Sequence, residues 1–577
     1  MPGLVCVLGR DRAADLAERA ARPLVRRSWQ RFELAPTRDD VALGFAGEHG
    51  GVAHDPETGV ALALDGELFG DSGALTGADA ARELLHTYLD VSFEEDIPQG
   101  AFAAGLWDPR TESLVLLTDQ HGRRNVWMAE SGGVQLFAGE LKALLAAGVE
   151  PSLDLEAWSQ FFAYEGALSG HSPLEGVALL AGATRLEISR GRKKAHTRWR
   201  YRLEPEDVGD VEEWADDFAQ LLDAAVRRRL GNVGLALSGG YDSRCVGSIL
   251  AKRAPDTKAL TFGQPGSTEL RLGTEVARIL GLPHRTEPFE PGYLARGAAE
   301  TVWLSEGAIR AFHAHHLYLR PLLTKDGAGA VLINYGGDHV LRAAGGTLQA
   351  RGESVEGDNF HRFRAEIISD EFLEEIFTPG FAAQVRGLAR TSLRRHLDEE
   401  EGTPVQKARH VGYNALTRKI WPGAELFTDF LAPRDPYDDH ADAVEEGAED
   451  DDDLGVVAGH PVVADQRGLD VVLRELAEQL ERDVRDDLDV HPGVVVDLEA
   501  LDRVHVRDVP PGFHLVVLVD PLHECRELAV RARRDLDPHL RDRLGGRQAG
   551  LFLRLFGDRI LDPLLGLLVE LGHECRA

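Results

Sequence analysis

Near the middle of the chain the sequence reads Val233-Gly234-Leu235-Ala236-Leu237-Ser238-Gly239-Gly240-Tyr241-Asp242-Ser243-Arg244. The apolar first part predicts a buried strand, the Ser-Gly-Gly that follows predicts a tight turn, and residues 245–252 continue as a helix. Two glycines let the backbone approach a bound group closely, and the start of a helix presents free N–H groups and the positive end of its dipole. The stretch therefore predicts a strand–loop–helix unit that binds an anion.

The spacing of this loop resembles the Ser-Gly-Gly-x-Asp-Ser pyrophosphate loop of ATP pyrophosphatases, which split ATP into AMP and pyrophosphate. It differs from the nucleoside-triphosphatase loop because no Lys follows the glycines. The resemblance implies that ATP binds through Leu237, Ser238, Gly239, Gly240, Asp242 and Ser243. It also implies that Asp242 holds Mg²⁺ beside the phosphates. The alternative is a strand–turn–helix corner without a ligand.

The segments around the loop alternate between strand and helix patterns. Residues 211–230 form an amphipathic helical pattern, 259–263 a second apolar strand, and 269–280 another helix. Such alternation predicts a parallel sheet with helices on both faces, and ligands then bind beyond the carboxyl ends of the strands.

The first 205 residues show many short strand patterns and few helices, which predicts stacked sheets. Several blocks in this region resemble, in order, the class II glutamine amidotransferase domain of asparagine synthetase. They are Asp65-Gly66-Glu67-Leu68-Phe69, Gly100-Ala101-Phe102-Ala103 with Leu106-Trp107-Asp108, Thr118-Asp119-Gln120-His121-Gly122, and Phe137-Ala138-Gly139-Glu140-Leu141-Lys142-Ala143-Leu144. The resemblance implies the stacked-sheet fold of N-terminal nucleophile (Ntn) hydrolases.

The residue at the position of the family's nucleophile differs in this chain. In the family a Cys directly follows the initiator Met, and its freed α-amine acts as the base. Here Pro2 stands at that position, before Gly3, and proline has neither a thiol nor a primary amine. Cys6 falls inside a predicted strand, where a small core residue is expected. We therefore predict that this domain does not hydrolyse glutamine.

A third apolar run leads into Asn334-Tyr335-Gly336-Gly337-Asp338-His339, which resembles the Ser-Gly-Glu-Gly-x-Asp-Glu motif of asparagine synthetase. The resemblance implies that Gly336 and Gly337 contact the nucleotide and that Asp338 and Asp242 together hold Mg²⁺. The alternative for Asp338 is a helix cap. Tyr335 in place of the family's Glu resembles beta-lactam synthetase, in which a Tyr helps to take a proton from the attacking amine.

Two further sets of residues bear on the site. The family resemblance implies that Phe262 and Gly263, which end the second predicted strand, line the adenine base. His313, His315 and His316 have a spacing that suggests a metal, but no carboxylate is close in sequence. We expect these histidines to face the substrate pocket or the surface.

The composition limits the classes of function. The 577 residues suffice for two or three domains, and 96 acidic against 64 basic residues give a net charge of −32. This charge argues against a nucleic-acid partner, and a strongly acidic, Lys-poor chain is typical of a salt-accumulating halophile. The cysteines (Cys6, Cys245, Cys525 and Cys575) fit neither a disulfide framework nor a zinc spacing. Without a long apolar run or a signal peptide, we expect a cytoplasmic protein without membrane contact.

Residues 441–577 contain no Lys, Asn, Ser, Thr, Tyr, Trp or Met. Ordinary domains use Ser, Thr and Asn in caps and turns, so this absence is abnormal. One interpretation is an acidic helical domain, and the other, which we favour, is a frameshift in a GC-rich gene. The family resemblance implies a late Lys that contacts the phosphates, yet no Lys follows Lys419.

These patterns predict an α/β protein, α+β overall. An Ntn-hydrolase-like domain (1–205) precedes a parallel-sheet ATP-pyrophosphatase domain of the adenine nucleotide alpha hydrolase-like type (206–440) and the abnormal region 441–577. The resemblance implies that ATP and Mg²⁺ activate a carboxylate, aspartate or a similar molecule, as acyl-AMP for amidation by ammonia or an amine. The alternatives are an intramolecular lactam or macrocycle synthetase and a non-catalytic nucleotide-binding paralogue. The sequence leaves open whether the protein forms a homodimer.

Overall fold

The structure is a computed structural model, and it describes residues 3–9, 12–91, 93, 98–164, 166–168, 170–202, 211–308, 311–334, 368, 370–416 and 432–438. All of them lie in the first of two compact units, Met1–Asp489, and the second unit is Val490–Ala577. The described residues form two antiparallel sheets, one parallel sheet with helices on both faces, and a group of short helices.

The strands of the N-terminal region are β1 (Gly3–Leu8), β2 (Arg31–Leu34), β3 (Val41–Gly47), β4 (Gly50–His54), β5 (Ala61–Gly70), β6 (Gly73–Thr76), β7 (Gly100–Asp108), β8 (Ser113–Thr118), β9 (Trp127–Ser131), β10 (Val134–Ala138), β11 (Val177–Leu179), β12 (Thr184–Ser189) and β13 (Arg192–Thr197). One antiparallel sheet has the strand order β11-β9-β10-β1-β3-β2. The other has the order β13-β12-β8-β7-β5-β4, with β6 paired to β5.

Strand β1 shows how the two sheets stack. Leu4 and Cys6 lie in the core between the sheets, whereas Val5 and Val7 point to the opposite face, as the two-residue period of a strand requires. Helices α1 (Ala13–Ala21) and α3 (Leu141–Ala147) cover that outer face, and α2 (Gly77–Val91) covers the outer face of the other sheet. The stacked-sheet prediction is confirmed as a helix–sheet–sheet–helix arrangement.

The second region contains a five-stranded parallel sheet. Its elements are α5 (Val211–Arg228), β14 (Val233–Ala236), α6 (Tyr241–Arg253), β15 (Lys258–Gly263), α7 (Thr268–Leu280), β16 (His284–Pro288), α8 (Tyr293–Ser305), a 3₁₀ helix (Ala311–Leu319), α9 (Arg320–Asp326), β17 (Ala330–Leu332) and β18 (Ala432–Arg434). The strand order is β16-β15-β14-β17-β18, and every pair is parallel.

The order of these strands fixes where a ligand can bind. From β14 the chain adds β15 and β16 on one side, and later adds β17 and β18 on the other. The connections therefore leave the sheet in opposite directions at the β14–β17 pair, and in open parallel sheets ligands bind beyond the carboxyl ends of the strands at such a point. One core packs α5, α6 and α7 on one face of the sheet, and a second core packs α8 and α9 on the other. The predicted parallel α/β domain is confirmed.

The remaining helices join the two regions. They are α4 (Leu155–Tyr164), α10 (Asp370–Ile376), α11 (Pro379–Val385), α12 (Leu388–Glu399) and α13 (Pro404–Val411), which continues as a π-helical turn (Gly412–Leu416). A core cluster joins Tyr164 of α4 to Leu393 of α12 and Val411 of α13. The buried Tyr164 hydroxyl donates a 2.9 Å hydrogen bond to the Ala389 carbonyl. The late helices, which lie between β17 and β18 in sequence, therefore pack on the N-terminal region.

Candidate active site

The loop between β14 and α6 has the predicted strand–loop–helix form, and its two serines hold it together. The Ser238 and Ser243 hydroxyls lie 2.8 Å apart, and Ser243 Oγ also accepts the Ser238 N–H at 3.1 Å. The Gly240 N–H donates to Ser238 Oγ at 3.0 Å. Leu237 is buried, and its N–H donates to the Leu260 carbonyl at 3.0 Å, which extends the β14–β15 pairing into the loop. The loop is therefore ordered by its own side chains and by the neighbouring strand.

The glycines bring the loop close to α7. A Cβ added at Gly239 would lie 2.6 Å from the Leu272 Cβ, so no side chain fits there without a shift. The Gly239 N–H donates to a Glu269 carboxylate oxygen at 3.3 Å. Gly240 is the N-cap of α6 and provides no side-chain cap to the helix. The loop thus presents backbone donors next to a helix N-terminus, and one of them already faces an anionic group.

Glu269 is absent from the residues predicted from the sequence. The available signal is its place in the first turn of the helix that follows β15, where acidic residues are common for reasons of the helix dipole alone. Only the parallel pairing of β14 with β15 brings that turn to the loop.

Asp242 lies in the first turn of α6, as the loop motif predicts. Its backbone carbonyl accepts a 3.0 Å hydrogen bond from the Tyr437 hydroxyl, and the Tyr437 N–H donates to Asp435 Oδ1 at 3.1 Å. Burial raises the pKa of Tyr437 well above its usual value, so this hydroxyl keeps its proton and remains a donor. The segment after β18 therefore fixes the beginning of α6.

Phe262 and Gly263 end β15 at the same edge of the sheet as the loop. The Phe262 ring centroid lies 6.0 Å from that of Phe289 and 5.9 Å from that of His315. Phe289 in turn stacks on Tyr293 at 4.4 Å. The predicted adenine-binding residues thus begin an aromatic cluster beyond β15 and β16.

The other predicted site residues, Tyr335, Gly336, Gly337 and Asp338, lie outside the described residues. The structure does describe the strand that leads to them. β17 pairs with β14 through Leu332 and Leu235, and the Ile333 N–H donates to the Arg434 carbonyl at 3.0 Å. The chain therefore reaches residue 334 at the carboxyl edge that carries the loop.

In the N-terminal region, two of the blocks that resemble an amidotransferase meet at Asp119. Its buried carboxylate accepts backbone N–H groups from Phe102 at 3.0 Å, His121 at 2.9 Å and Arg123 at 3.0 Å. Burial raises the pKa of Asp119 to about 6, against the opposing influence of Arg123 and these hydrogen bonds. The Asp119 carboxylate thus joins β7, through Phe102, to the turn that follows β8.

Glu67, in the block that resembles the family's Asn-Gly-Glu, is bound by an arginine of the parallel sheet. Arg434 Nε and Nη2 each donate to the Glu67 carboxylate at 2.8 Å, and both side chains are buried. Arg434 also donates to the Arg229 carbonyl at 2.9 Å. Burial by itself would raise the pKa of Glu67, but the hydrogen bonds and the charge of Arg434 outweigh it and lower the pKa.

Cys6 lies on β1 with no exposed surface. Burial raises the pKa of its thiol well above the usual value, so the thiolate is disfavoured. A Cβ added at Gly105, on the facing strand β7, would lie 2.3 Å from Cys6 Sγ. Cys6 therefore fills the space between the two sheets, and this supports its assignment as a core residue.

Two family models match the chain. The asparagine synthase model matches residues 217–486, and the glutamine amidotransferase domain model matches residues 84–200. The chain is therefore similar to asparagine synthases and to glutamine amidotransferase domains over these two regions. The first match includes the β14–α6 loop and all five parallel strands. It also extends 46 residues beyond residue 440, which the motifs in the sequence predict as the end of the synthetase domain.

The individual relatives are distant in sequence. The amidase chry2 of Gibberella zeae is 23% identical over 49% of this chain and 47% of that protein. The asparagine synthetase [glutamine-hydrolyzing] 3 of Bacillus subtilis is 29% identical over 29% of this chain and 28% of that protein. The chain thus spans less than half the length of either relative.

Solved structures are similar only in part. The glutamine phosphoribosylpyrophosphate amidotransferase from B. subtilis covers 49% of this chain and 65% of that chain at 11% identity, with a TM-score of 0.25. The NMN synthetase from Francisella tularensis covers 39% of this chain and 97% of that chain at 15% identity, with a TM-score of 0.18. Among the described residues, no helix is both long enough and apolar enough to cross a lipid bilayer.

Proposed function

We propose that this chain is an ATP-dependent carbon–nitrogen ligase of the asparagine synthase type, and that its nitrogen donor is ammonia or an amine rather than glutamine. The observation that carries the proposal is the loop after β14. Its paired serine hydroxyls and its glycine N–H groups stand at the carboxyl edge of a parallel sheet, beside the strand β17 that leads to the second motif. Such an edge, with a helix N-terminus at it, suits the phosphates of a nucleotide.

The residues of the loop fit a polyphosphate. Close packing on Leu272 excludes a side chain at Gly239, and the Gly239 N–H already faces the carboxylate of Glu269. In this proposal Leu237, Ser238, Gly239, Gly240 and Ser243 hold the phosphates. When bound, ATP would activate a carboxylate, aspartate or a similar molecule, as acyl-AMP with release of pyrophosphate, and ammonia or an amine would then displace AMP.

The remaining roles are assigned from the family resemblance. Asp242 and Asp338 would hold Mg²⁺ through hard carboxylate oxygens. Phe262 and Gly263 would border the adenine, and Gly336 and Gly337 would approach the phosphates. Tyr335 would assist the transfer of a proton from the attacking amine.

Ammonia or an amine is proposed as the donor for three reasons. Pro2 replaces the nucleophilic Cys. Cys6 is buried, and burial raises its pKa, so it does not substitute for the missing nucleophile. The Glu67 carboxylate is bound by two nitrogens of Arg434. An amidotransferase-like domain with these features stabilises the synthetase part rather than supplying ammonia.

Two other functions have support in the sequence. Tyr335 and Pro2 together favour an intramolecular amide synthetase that closes a lactam or a macrocycle. The absence of any Lys after Lys419 favours a non-catalytic paralogue that binds nucleotide. Both alternatives keep the loop after β14 as the nucleotide site.

The test is the release of AMP and pyrophosphate from ATP and Mg²⁺ in molar KCl, with aspartate plus ammonium compared with aspartate plus glutamine. We expect turnover with ammonium and none with glutamine. Asp242→Asn should abolish this turnover, whereas Asp256→Asn, at an exposed position after α6, should leave it unchanged. Turnover with glutamine would contradict the inactive amidotransferase domain. ATP bound but not turned over in either mixture would favour the alternatives.

We also propose domain boundaries near residues 205 and 440. The asparagine synthase match reaches residue 486, so residues 441–486 are the part of the C-terminal region that bears on this boundary. Limited proteolysis with mass spectrometry should give fragments that end near residues 205 and 440. Resequencing the gene across codons 437–450 tests the frameshift hypothesis, which an unchanged reading frame would refute.

A further inference from the structure

Three histidines whose spacing in the sequence suggests a metal converge on the 3₁₀ helix Ala311–Leu319. One ring nitrogen from each of His313, His315 and His316 lies within 4.8 Å of the other two. The rings of His315 and His316 are 4.1 Å apart between centroids, and that of His313 lies 5.6 Å from His315 and 5.4 Å from His316. His316 is buried at 4% exposure and the other two are half-buried. From the sequence we expect these histidines to face the substrate pocket or the surface, so the grouping of their ring nitrogens is a feature that the fold adds.

The backbone that carries the histidines is held in place on both sides. Ala314 is buried against α8, where a Cβ added at Gly297 would lie 2.8 Å from the Ala314 Cβ. Leu319, at the end of the same helix, belongs to the core beneath the sheet together with Leu322 of α9. Because the helix is packed on its neighbours, the imidazoles can rearrange by side-chain rotation while their Cα positions stay fixed.

We propose that His313, His315 and His316 bind one divalent transition-metal ion, for which Zn²⁺ is the best-suited candidate. Neutral imidazole nitrogens are preferred ligands of Zn²⁺, Co²⁺, Ni²⁺ and Cu²⁺, whereas Mg²⁺ prefers oxygen, so this site is chemically distinct from the proposed Mg²⁺ carboxylates. Tetrahedral zinc with bonds of about 2.0–2.1 Å places its nitrogen ligands about 3.3–3.4 Å apart. The ring nitrogens lie within 4.8 Å of one another, so zinc binding requires the side chains to rotate and bring these nitrogens closer together. A water or a fourth protein group completes the coordination.

The position of the site suggests its effect. His315 lies 5.9 Å from the Phe262 ring and 6.4 Å from the Phe289 ring, between centroids. A metal bound to His315 therefore fixes one side of the aromatic cluster beyond β15. We expect metal binding to raise the melting temperature of the protein, since a ligand that binds only the folded state stabilises it.

The experiment uses the full chain without a histidine purification tag, stripped with a chelator and titrated with Zn²⁺ or Co²⁺ by calorimetry and visible spectroscopy. We expect one ion per chain bound at this site and, with Co²⁺, the intense visible absorption of a four-coordinate complex. The single variants His313→Asn and His315→Asn should each weaken binding by at least about 100-fold, more than the about 10–100-fold that loss of a hydrogen bond to a metal ligand costs.

The matched control is His196→Asn, at an exposed position on the edge strand β13. It should bind like the wild type, which separates this site from the other histidines among the 22 in the chain. His313 and His315 are chosen because they are half-buried, and circular dichroism of each variant checks that it folds. Equal metal stoichiometry and affinity in the wild type and in both folded variants would overturn the proposal, as would the absence of any bound ion. Neither result depends on ATP turnover.

Discussion

At the scale of single residues, Gly239 leaves less room for a side chain than Gly240 and Gly263, the other described glycines of the candidate site. A Cβ there would lie 2.6 Å from the Leu272 Cβ, so Gly239→Ala must displace either the loop or α7. Overpacking of this kind costs about 1–3 kcal/mol. If the displacement falls on the loop, ATP affinity should decrease by about tenfold, which corresponds to about 1.4 kcal/mol. Calorimetric titration with ATP and Mg²⁺ measures this change.

Two further variants make the Gly239 prediction specific. Gly380→Ala, at a position in α11 with nothing within 4 Å of an added Cβ, should leave ATP affinity unchanged. Truncation of the opposing side chain in Gly239→Ala/Leu272→Ala should restore much of the lost affinity, because it removes the close contact. An unchanged affinity in Gly239→Ala would contradict the prediction that the added methyl group displaces the loop rather than α7.

The thiol of Cys6 should not react in the folded protein. It has no exposed surface, and burial raises its pKa, so few thiolates form and reagents do not reach them. Treatment with iodoacetamide followed by peptide mapping should leave Cys6 and the equally buried Cys245 unlabelled, and both should be labelled in guanidinium. Native labelling of Cys6, or glutamine hydrolysis that Cys6→Ser abolishes, would reopen the question of a glutaminase.

At the scale of elements, the Glu67–Arg434 pair joins β5 of the amidotransferase-like sheets to β18 of the parallel sheet. Removing one partner of a buried ion pair costs about 3–5 kcal/mol, because the other charge stays buried. Glu67→Gln should therefore lower the melting temperature markedly. The control Glu275→Gln alters an exposed pair with Arg278 on α7, whose loss costs about 0–1 kcal/mol.

The same pair predicts a pH dependence. The folded-state pKa of Glu67 is lower than its ordinary value, so its contribution to stability is fully present above about pH 4.3 and is lost as the pH falls through the lowered pKa. The difference in melting temperature between the wild type and Glu67→Gln should therefore be constant from pH 6 to pH 8 and shrink under acid conditions. A difference that grows as the pH falls would contradict this assignment.

Elements with a strong local pattern could be predicted from the sequence. The strand–loop–helix unit, β15, α5 and α7 all occur within a few residues of their predicted bounds, because apolar periodicity and glycine turns are local signals. Strand β17 is shorter than its apolar run suggests. It ends at Leu332, where its pairing with the three-residue β18 also ends.

Features that depend on distant contacts could not be predicted. Glu67 and Arg434 are 367 residues apart in sequence, and the block that contains Glu67 suggests a role inside the amidotransferase domain. The three histidines lie on a 3₁₀ helix, whose tighter turn brings their nitrogens together, and their spacing in the sequence does not specify this type of helix. Glu269 reaches the loop only because β14 and β15 are neighbours in the sheet.

At the scale of the whole molecule, the charge of −32 opposes folding through mutual repulsion of acidic groups. Salt screens this repulsion, because the Debye length falls from about 10 Å at 0.1 M to about 3 Å at 1 M. We therefore expect the melting temperature at pH 7.5 to rise as KCl increases from 0.1 M to 1 M. Differential scanning fluorimetry across this range measures the effect.

Salt also stabilises proteins by mechanisms unrelated to net charge, so the prediction needs a condition in which the charge alone is removed. The sequence has a pI of about 5.1, and at that pH the net repulsion vanishes. If repulsion between acidic groups is the cause, the KCl effect should be much smaller at pH 5.1 than at pH 7.5. An equal effect at both pH values would instead indicate that ions act through apolar burial, as strongly excluded salts do. The acidic composition would then be a property of the surface with no bearing on the stability of this fold.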